Sequence, residues 1–439
     1  MISVQIPNNF IQERTYVIRV ILEEFLGQEC TIKTDESASD YVLTLNNNRV
    51  ITIEDHFFNK FKEGGYLELK SIPTNVKSGI VDFFGEFPIV SLFGPLETTY
   101  DKNSVCIEID IFAATFFMLT RWEEAVNTKR DVNGRFPARE SLAVKNSFIN
   151  RPIVNEYVEL LWKAIKVLCP SATRLKRDFN FLLTHDVDLP KLWWSPKDFI
   201  KSIGGALLKR KSLGEAFNLT KQYINHNDPF DVFDWMMDLS DQYNIKSHFF
   251  FMSGGTSIKD NFYKIDHPEI KRLINKIKGR NHKIGFHPSF NSYNDIKQFT
   301  KELNLLKKIS EVEINTGRHH FLRFEVPTTW QIWEDSNMQW DSTLSYHDKE
   351  GFRCGVCYPF PVFNIITRKR LNLIERPLTV MEGSFMTYQD SNPNIMSSRI
   401  KELIDTTRFY NGEFVFLWHN SAFRNKQYNK VYEDVLRYV

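Results

Sequence analysis

The sequence predicts an α/β protein of two domains, and three observations support this prediction. The chain has 439 residues, which is more than one domain usually holds. Helix-like and strand-like stretches alternate after residue 230, with the lengths that are typical of βα units. A polar, proline-led stretch at 170–178 separates this part from the first third. We therefore predict a smaller α/β or α+β accessory domain over 1–175 and a larger domain over 176–439.

Composition narrows the class of protein. The 56 basic and 54 acidic residues give a net charge of +2, which argues against general nucleic-acid binding. The N-terminus lacks the basic and apolar regions of a signal peptide, and no window is long and apolar enough for a transmembrane helix. The five cysteines are an odd number and widely scattered, so we expect a reduced, cytoplasmic protein.

In the first third, apolar periodicity predicts several elements but no catalytic constellation. The predicted helices are 15–27, 111–124 and 155–168, and the predicted strands are 30–32, 41–45, 49–53 and 105–109. Three asparagines at 46–48 predict a turn, which makes 41–45 and 49–53 a hairpin.

The stretch 181–188 is an apolar run that ends in two acidic residues, followed by Pro190. In a strand, Asp186 and Asp188 share one face, whereas His185 points to the other. Carboxylates about 7 Å apart on one face repel each other unless a metal ion or a shared proton relieves them. The alternative is a helix cap or an Asx turn before the proline.

The segment 191–211 is basic, with six basic residues against one acid and with Trp193 and Trp194 at its start. Such an amphipathic segment can lie on an anionic membrane surface. The alternative is a segment packed on the domain with its lysines in water. The pair Gly204 and Gly205 weakens the helix that membrane contact requires.

His287 directly follows the predicted strand 283–286. If Pro288 begins a short helix, His287 and Asn291 are four residues apart and can converge on one ion. Imidazole is a common ligand for zinc and similar metals, although a lone histidine at a strand end is also often only hydrogen-bonded.

Four motifs occur in a characteristic order. They are Thr-His-Asp-Val-Asp at 184–188, Gly-Arg-Asn-His-Lys-Ile-Gly-Phe-His at 279–287, Arg-His-His-Phe at 318–321 and Leu-Trp-His at 417–419. Together they resemble the polysaccharide deacetylase family (NodB homology, carbohydrate esterase family 4) over residues 176–439. The first third is similar to the module that precedes such domains in bacterial surface-polysaccharide proteins. The resemblance implies an irregular (β/α) barrel of about seven strands, one fewer than the regular eight-stranded form.

The resemblance also implies a divalent metal site. Asp188 and His287 match metal ligands of the family, and Asn291 stands where the family has a second histidine. Pro288 replaces the usual Ser or Thr. An amide oxygen is a weaker and harder ligand than imidazole. Zinc is the expected metal, with cobalt, manganese, iron and nickel as alternatives.

The remaining motif residues receive roles in the same way. Asp186 matches the general base that activates the attacking water, and Arg318 matches the residue that holds this base. His419 matches the general acid, and Leu417 a wall of the acetyl pocket. Substrate contacts are expected from Arg323 and Arg353.

These roles predict a metal-dependent hydrolase that removes N-acetyl, or alternatively O-acetyl, groups from a polysaccharide, an oligosaccharide or a glycan precursor. We expect it in the cytoplasm, with peripheral contact at the inner face of the membrane through 191–211. One alternative is a deacetylase-like protein that binds glycans or acts as a scaffold in polysaccharide biosynthesis, which Asn291 favours. Another is a hydrolase of a small amide.

Overall fold

The computed structural model describes residues 1–85, 88–260 and 262–439. The strands are β1 Ile2–Pro7, β2 Cys30–Asp35, β3 Tyr41–Thr44, β4 Val50–Ile53, β5 Lys77–Ile80, β6 Pro88–Ser91, β7 Thr98–Tyr100, β8 Ser104–Ile107, β9 Asn180–Val187, β10 His248–Phe251, β11 Lys283–Phe286, β12 Thr316–Gly317, β13 Trp340–Asp341, β14 Phe360–Asn364, β15 Lys369–Glu375, β16 Val380–Met381 and β17 Glu413–Leu417.

The α-helices are α1 Ile11–Arg19, α2 Ile111–Thr120, α3 Trp122–Val126, α4 Leu142–Lys145, α5 Ile153–Leu168, α6 Pro196–Gly204, α7 Leu213–Ile224, α8 Phe233–Gln242, α9 Pro268–Gly279, α10 Ile296–Ser310, α11 Thr328–Asp335, α12 Pro393–Phe409 and α13 Lys426–Tyr438. The π-helical segments are Val20–Phe25, Gly205–Lys209 and Ser384–Tyr388. The 3₁₀ turns are Phe58–Lys60, Leu69–Ser71, Ala138–Glu140, Ser292–Asn294, His320–Leu322 and Asn420–Arg424.

The described residues form two compact units, and both are discontinuous in sequence. The first unit contains Met1–Asn180, Leu322–Thr379 and Asp405–Phe414, and the second contains Phe181–Phe321, Val380–Ile404 and Val415–Val439. This division differs from the predicted domain over 176–439, because part of that range packs with the N-terminal residues.

Contacts within the first unit explain the difference. The Tyr16 hydroxyl donates a 2.7 Å hydrogen bond to the carbonyl of Pro361. The guanidinium of Arg368 pairs with both carboxylate oxygens of Glu13 at 2.8 Å. These partners are more than 340 residues apart in the chain, and no local sequence pattern reports such pairing.

The main sheet of the first unit has the strand order β2-β1-β3-β4-β8-β7. Strands β3 and β4 pair antiparallel, with Leu43 opposite Ile51, which confirms the predicted hairpin. The predicted helix 111–124 is interrupted, because Arg121 adopts a left-handed conformation (φ 53°) and separates α2 from α3. Its side chain turns back to donate to Glu124 at 2.8 Å.

In the second unit the strand order is β12-β11-β10-β9-β17-β16. Strands β9, β10, β11 and β12 pair parallel in succession, as do β16 and β17. The mixed α/β fold with a parallel sheet is therefore observed, whereas closure into a barrel stays a prediction. The carboxyl ends of parallel strands lie at one edge of a sheet, so the residues that follow β9, β11 and β12 emerge on the same side.

The basic segment after β9 forms part of a helical pair. The two glycines do not end the first helix, because α6 continues through the π-helical segment Gly205–Lys209 before α7 begins. Side chains of this region form a small core of Trp193, Ala206, Ala216 and Leu219. None of the helices in the described part of the chain is both long and apolar enough to span a membrane.

Candidate active site

The carboxylate of Asp186 is held in place at the end of β9. Its Oδ1 atom accepts a 3.0 Å hydrogen bond from Nη1 of Arg318, which also donates to Oγ1 of Thr184 at 2.9 Å. Arg318 is completely buried and Asp186 nearly so. A buried carboxylate paired in this way has one oxygen anchored, while its Oδ2 remains available to other groups.

His185 lies on the opposite side of the strand, inside the packing. Its Nδ1 atom lies 2.7 Å from the carbonyl oxygen of Trp418, and its ring contacts the ring of Phe249. Burial lowers the pKa of His185 to about 3, so this imidazole is neutral at physiological pH.

Three ligand-type side chains meet beside Asp186. Single donor atoms of Asp188, His287 and His320 all lie within 4.8 Å of one another. Oδ1 of Asp188 is 3.1 Å from Nε2 of His287 and 3.7 Å from Nε2 of His320. Donor atoms around a tetrahedral zinc ion, each about 2.0 Å from the metal, are about 3.3 Å apart. The observed separations fit such a set.

Two of these donor atoms lack a protein partner of good geometry. Oδ1 of Asp188 and Nε2 of His287 are buried, and within the described residues neither makes an acceptable hydrogen bond. Burial raises the pKa of the Asp188 carboxyl, but His320, His287 and His419 outweigh this effect and hold the pKa well below its usual range. A buried anionic oxygen beside an unsatisfied imidazole nitrogen is what a cation site provides.

The orientation of each imidazole ring is fixed by a hydrogen-bond partner at its Nδ1 atom. Nδ1 of His287 lies 2.6 Å from the carbonyl oxygen of Arg318, and Nδ1 of His320 lies 3.0 Å from Oδ1 of Asp260. Each contact favours a proton on Nδ1, so that in the neutral ring Nε2 is the atom that can bind a cation. The buried Asp260 also accepts hydrogen bonds from the backbone N–H groups of Phe290 (2.8 Å) and Ser257 (3.1 Å).

The helix predicted at Pro288 does not form, and this changes the expected ligand set. Residues 287–291 are a loop, in which the N–H of Ser289 donates to Glu302 and that of Phe290 donates to Asp260. The side chain of Asn291 is exposed and donates to Oγ1 of Thr256 at 3.3 Å. His320, from the third motif, supplies the third donor atom in place of Asn291.

His419 follows β17 and is paired with an acid that the sequence did not single out. Its Nδ1 atom lies 2.6 Å from Oε1 of Glu382, and its Nε2 atom lies 3.6 Å from Oδ2 of Asp188. Burial lowers the pKa of His419, but Glu382, Asp188 and Asp186 outweigh burial and raise it to about 10. The contact with Glu382 favours the protonated imidazole, which carries a proton on Nε2.

His320, Asp260 and Glu382 are thus the site residues that sequence reasoning missed. His320 stands inside the third motif, so the motif itself contained a signal. Asp260 lies in a loop, and Glu382 directly follows β16 at the start of the helical turn before Ser384–Tyr388; only their contacts reveal them.

The predicted substrate residues have different positions. Leu417 is completely buried on β17, where it pairs with Met381 in register, and belongs to the same unit as His419. Arg323 and Arg353 belong to the first unit. Arg323 is half-buried, with its guanidinium beside Gly134.

Arg353 forms a buried ion pair in the first unit. Its Nε donates to Glu124 at 2.9 Å, its Nη2 also pairs with that carboxylate, and its Nη1 donates to the carbonyl of Ser345 at 2.6 Å. Although burial raises the pKa of Glu124, Arg353 and Arg121 lower it to about 2. This guanidinium is fully engaged, so we assign Arg353 to stability and correct its predicted role in substrate contact.

Replacing Arg353 with Met is expected to lower the free energy of unfolding by about 3 kcal/mol. The reason is that the buried carboxylate of Glu124 then loses one of its two positively charged partners and keeps only Arg121. Chemical denaturation measures this change. Lys70→Met, which removes one partner of the exposed pair with Glu68, is the control and should change stability little. Equal effects of the two substitutions would contradict the assignment.

Comparisons with solved structures identify similar proteins. The chain is similar to a protein described as a polysaccharide deacetylase from Mycobacterium smegmatis, at 14% identity and a TM-score of 0.38, covering 60% of this chain and 83% of that one. It is also similar to Puue allantoinase, at 10% identity and a TM-score of 0.38, with coverage of 60% and 83%. A protein described as a polysaccharide deacetylase from Pseudomonas aeruginosa PAO1 matches at 10% identity and a TM-score of 0.36, with coverage of 60% and 84%.

Comparison with family models concerns the first part of the chain. Residues 2–170 match the model described as a family of unknown function, DUF7033. No curated protein matches this sequence.

Proposed function

We propose that this protein is a metal-dependent hydrolase that removes an acetyl group from the nitrogen of an acetamido sugar in a glycan or glycan precursor. The observation that carries the proposal is the convergence of Asp188, His287 and His320, with Asp186 within 3.9 Å of His287 and His419 within 3.6 Å of Asp188. One carboxylate and two imidazoles are a ligand set suited to zinc and related divalent ions.

A divalent ion bound by these three residues supplies Lewis-acid polarisation of the amide carbonyl and acidifies a water molecule. Asp186, with Oδ1 anchored by Arg318, takes up the proton of the attacking water at Oδ2. The same guanidinium contact keeps this carboxylate in one orientation, which reduces the entropic cost of the step.

His419 acts at the other side of the scissile bond. Its Nε2 proton passes to the departing amine, which is a poor leaving group until it is protonated. Glu382 accepts from Nδ1, fixes the ring and keeps the imidazolium charged until the transfer. Leu417, two residues earlier, is proposed to form the apolar wall that receives the acetyl methyl group.

The ordered motifs favour a carbohydrate substrate, and the experiment separates it from a small amide. The full chain is loaded with zinc, cobalt or manganese, and acetate release is measured with chitin oligomers, acetamido-sugar nucleotides, lipid-linked acetamido sugars and small acetamides. Acetate release from the sugar substrates supports the proposal. Acetate release from the small amides alone would instead indicate a hydrolase of a small amide. A protein that binds no divalent ion and releases no acetate would instead fit the glycan-binding alternative.

Asp260→Asn is expected to weaken metal binding by about 10–100-fold, because His320 then loses the carboxylate that orients its ring. Equilibrium dialysis with zinc gives the dissociation constant without reference to activity. Asp266→Asn, an exposed aspartate six residues further on, is the control and should bind zinc like the unmodified chain. An unchanged dissociation constant in Asp260→Asn would exclude the positioning role.

A further inference from the structure

The helical pair α6–α7 of the second unit has an unusual surface. Five large apolar side chains are mostly exposed there: Ile200 (67% exposed), Leu208 (81%), Leu213 (79%), Phe217 (75%) and Ile224 (69%). Single exposed apolar residues are common on proteins, but a group of this size within 25 residues marks an interaction surface. We call these five residues the α6–α7 face.

The three apolar residues of α7 share one side of that helix. The ring of Phe199, near the start of α6, stacks on that of Tyr223, near the end of α7, at 3.9 Å between centroids, so the helices run antiparallel. On α7, positions 213, 217 and 224 recur at helical spacing on a side separate from the packed positions 216 and 219. Ile200 lies on α6 and Leu208 on its π-helical continuation, and both are mostly exposed.

The charges of this region are strongly biased. The exposed basic residues are Lys197, Lys201, Lys209, Arg210, Lys211 and Lys221. Residues 196–224, all of which the structure describes, contain only two acids, and both are half-buried. Asp198 accepts from the hydroxyl of Ser195 at 2.9 Å, and Glu215 pairs with Arg210 at 2.6 Å and with Arg424. Six basic residues against two acids leave residues 196–224 with an excess of four positive charges.

We infer that the α6–α7 face docks on the surface of an anionic phospholipid bilayer. Apolar side chains such as Leu208, Leu213 and Phe217 enter the boundary between headgroups and acyl chains, and the lysines beside them contact lipid phosphates. The exposed apolar side chains account for insertion into the bilayer. The exposed basic residues of 196–224 account for a preference for negatively charged lipid over neutral lipid. This contact is independent of the hydrolase chemistry proposed above.

The experiment is vesicle flotation of the full chain. Vesicles of phosphatidylcholine alone are compared with vesicles in which part of that lipid is replaced by phosphatidylglycerol. We expect flotation only with the anionic vesicles, and less of it as the salt concentration rises. Failure to float with anionic vesicles at low salt, or equal flotation with both kinds, overturns the inference.

Two sets of variants separate the apolar from the electrostatic contribution. Leu213→Ser with Phe217→Ser, and separately Lys209→Glu with Lys211→Glu, should each weaken partitioning by about tenfold or more. The controls are Ile258→Ser, whose side chain is 94% exposed elsewhere in the unit, and Lys301→Glu on α10. Thermal unfolding verifies that each variant is folded.

The variants also test other occupants of the face. If a folded Leu213→Ser with Phe217→Ser protein floats like the unmodified chain, the inference fails. If the unmodified chain forms a dimer that these substitutions abolish, and vesicles do not bind it, the face is an interface between two copies instead.

Discussion

The Asp186→Asn variant is expected to lose acetate release by a factor of about 10²–10⁴ while it still binds the metal ion, because the asparagine cannot take up a proton. The change removes charge but preserves the size of the side chain, so Arg318 retains a carbonyl oxygen as partner. The measurements are kcat for acetate release and the zinc dissociation constant, each compared with the unmodified chain.

The matched control is Asp178→Asn, an exposed aspartate shortly before β9 that should leave both quantities unchanged. If Asp186→Asn retains the kcat of the unmodified chain, Asp186 is not the general base. A variant with lost activity and equally lost metal would place Asp186 among the ligands instead, since its Oδ2 lies 3.9 Å from Nε2 of His287.

The second large effect concerns the third ligand. His320→Ala is expected to weaken zinc binding by more than about 100-fold. Removing a residue that only hydrogen-bonds to a metal ligand weakens binding by up to about 100-fold, and removing the ligand itself should cost more. The structural reason is that Nε2 of His320 is one of three donor atoms that converge, 3.7 Å from Oδ1 of Asp188. Metal content after dialysis and the dissociation constant both report this loss.

Asn291→Ala is the decisive comparison, because Asn291 stands where the family's second histidine is expected. The structure predicts that this variant keeps its zinc. If instead Asn291→Ala loses the metal and His320→Ala retains it, the sequence-based ligand set is right and the geometric one is wrong. Thermal unfolding with and without zinc shows whether either variant is misfolded.

Several elements could be predicted because their signals are local. The hairpin of β3 and β4 and the strands β9 and β11 follow from apolar periodicity and turn residues, and the structure places them within a few residues of the expected bounds. The residues of the ordered motifs lie on, or directly after, strands of one sheet.

Other features depend on partners that are distant in sequence. The convergence of His287 and Asn291 depended on a helix that begins at Pro288, but the structure has a loop there, whose N–H groups donate to Glu302 and Asp260. Likewise, Arg353 was expected at the substrate, and its ion pair with Glu124, 229 residues away, places it in the interior of the first unit.

The amino-acid order thus specifies the α/β class, the acidic end of β9 and the type of chemistry to expect there. It does so because side-chain periodicity and motif spacing are properties of neighbouring residues. Long-range packing decides three other features: that His320 is the third donor, that Glu382 pairs with His419, and that Leu322–Thr379 belongs to the first unit. Such contacts form only when distant loops meet, so the folded chain was needed to reveal His320 beside Asp188.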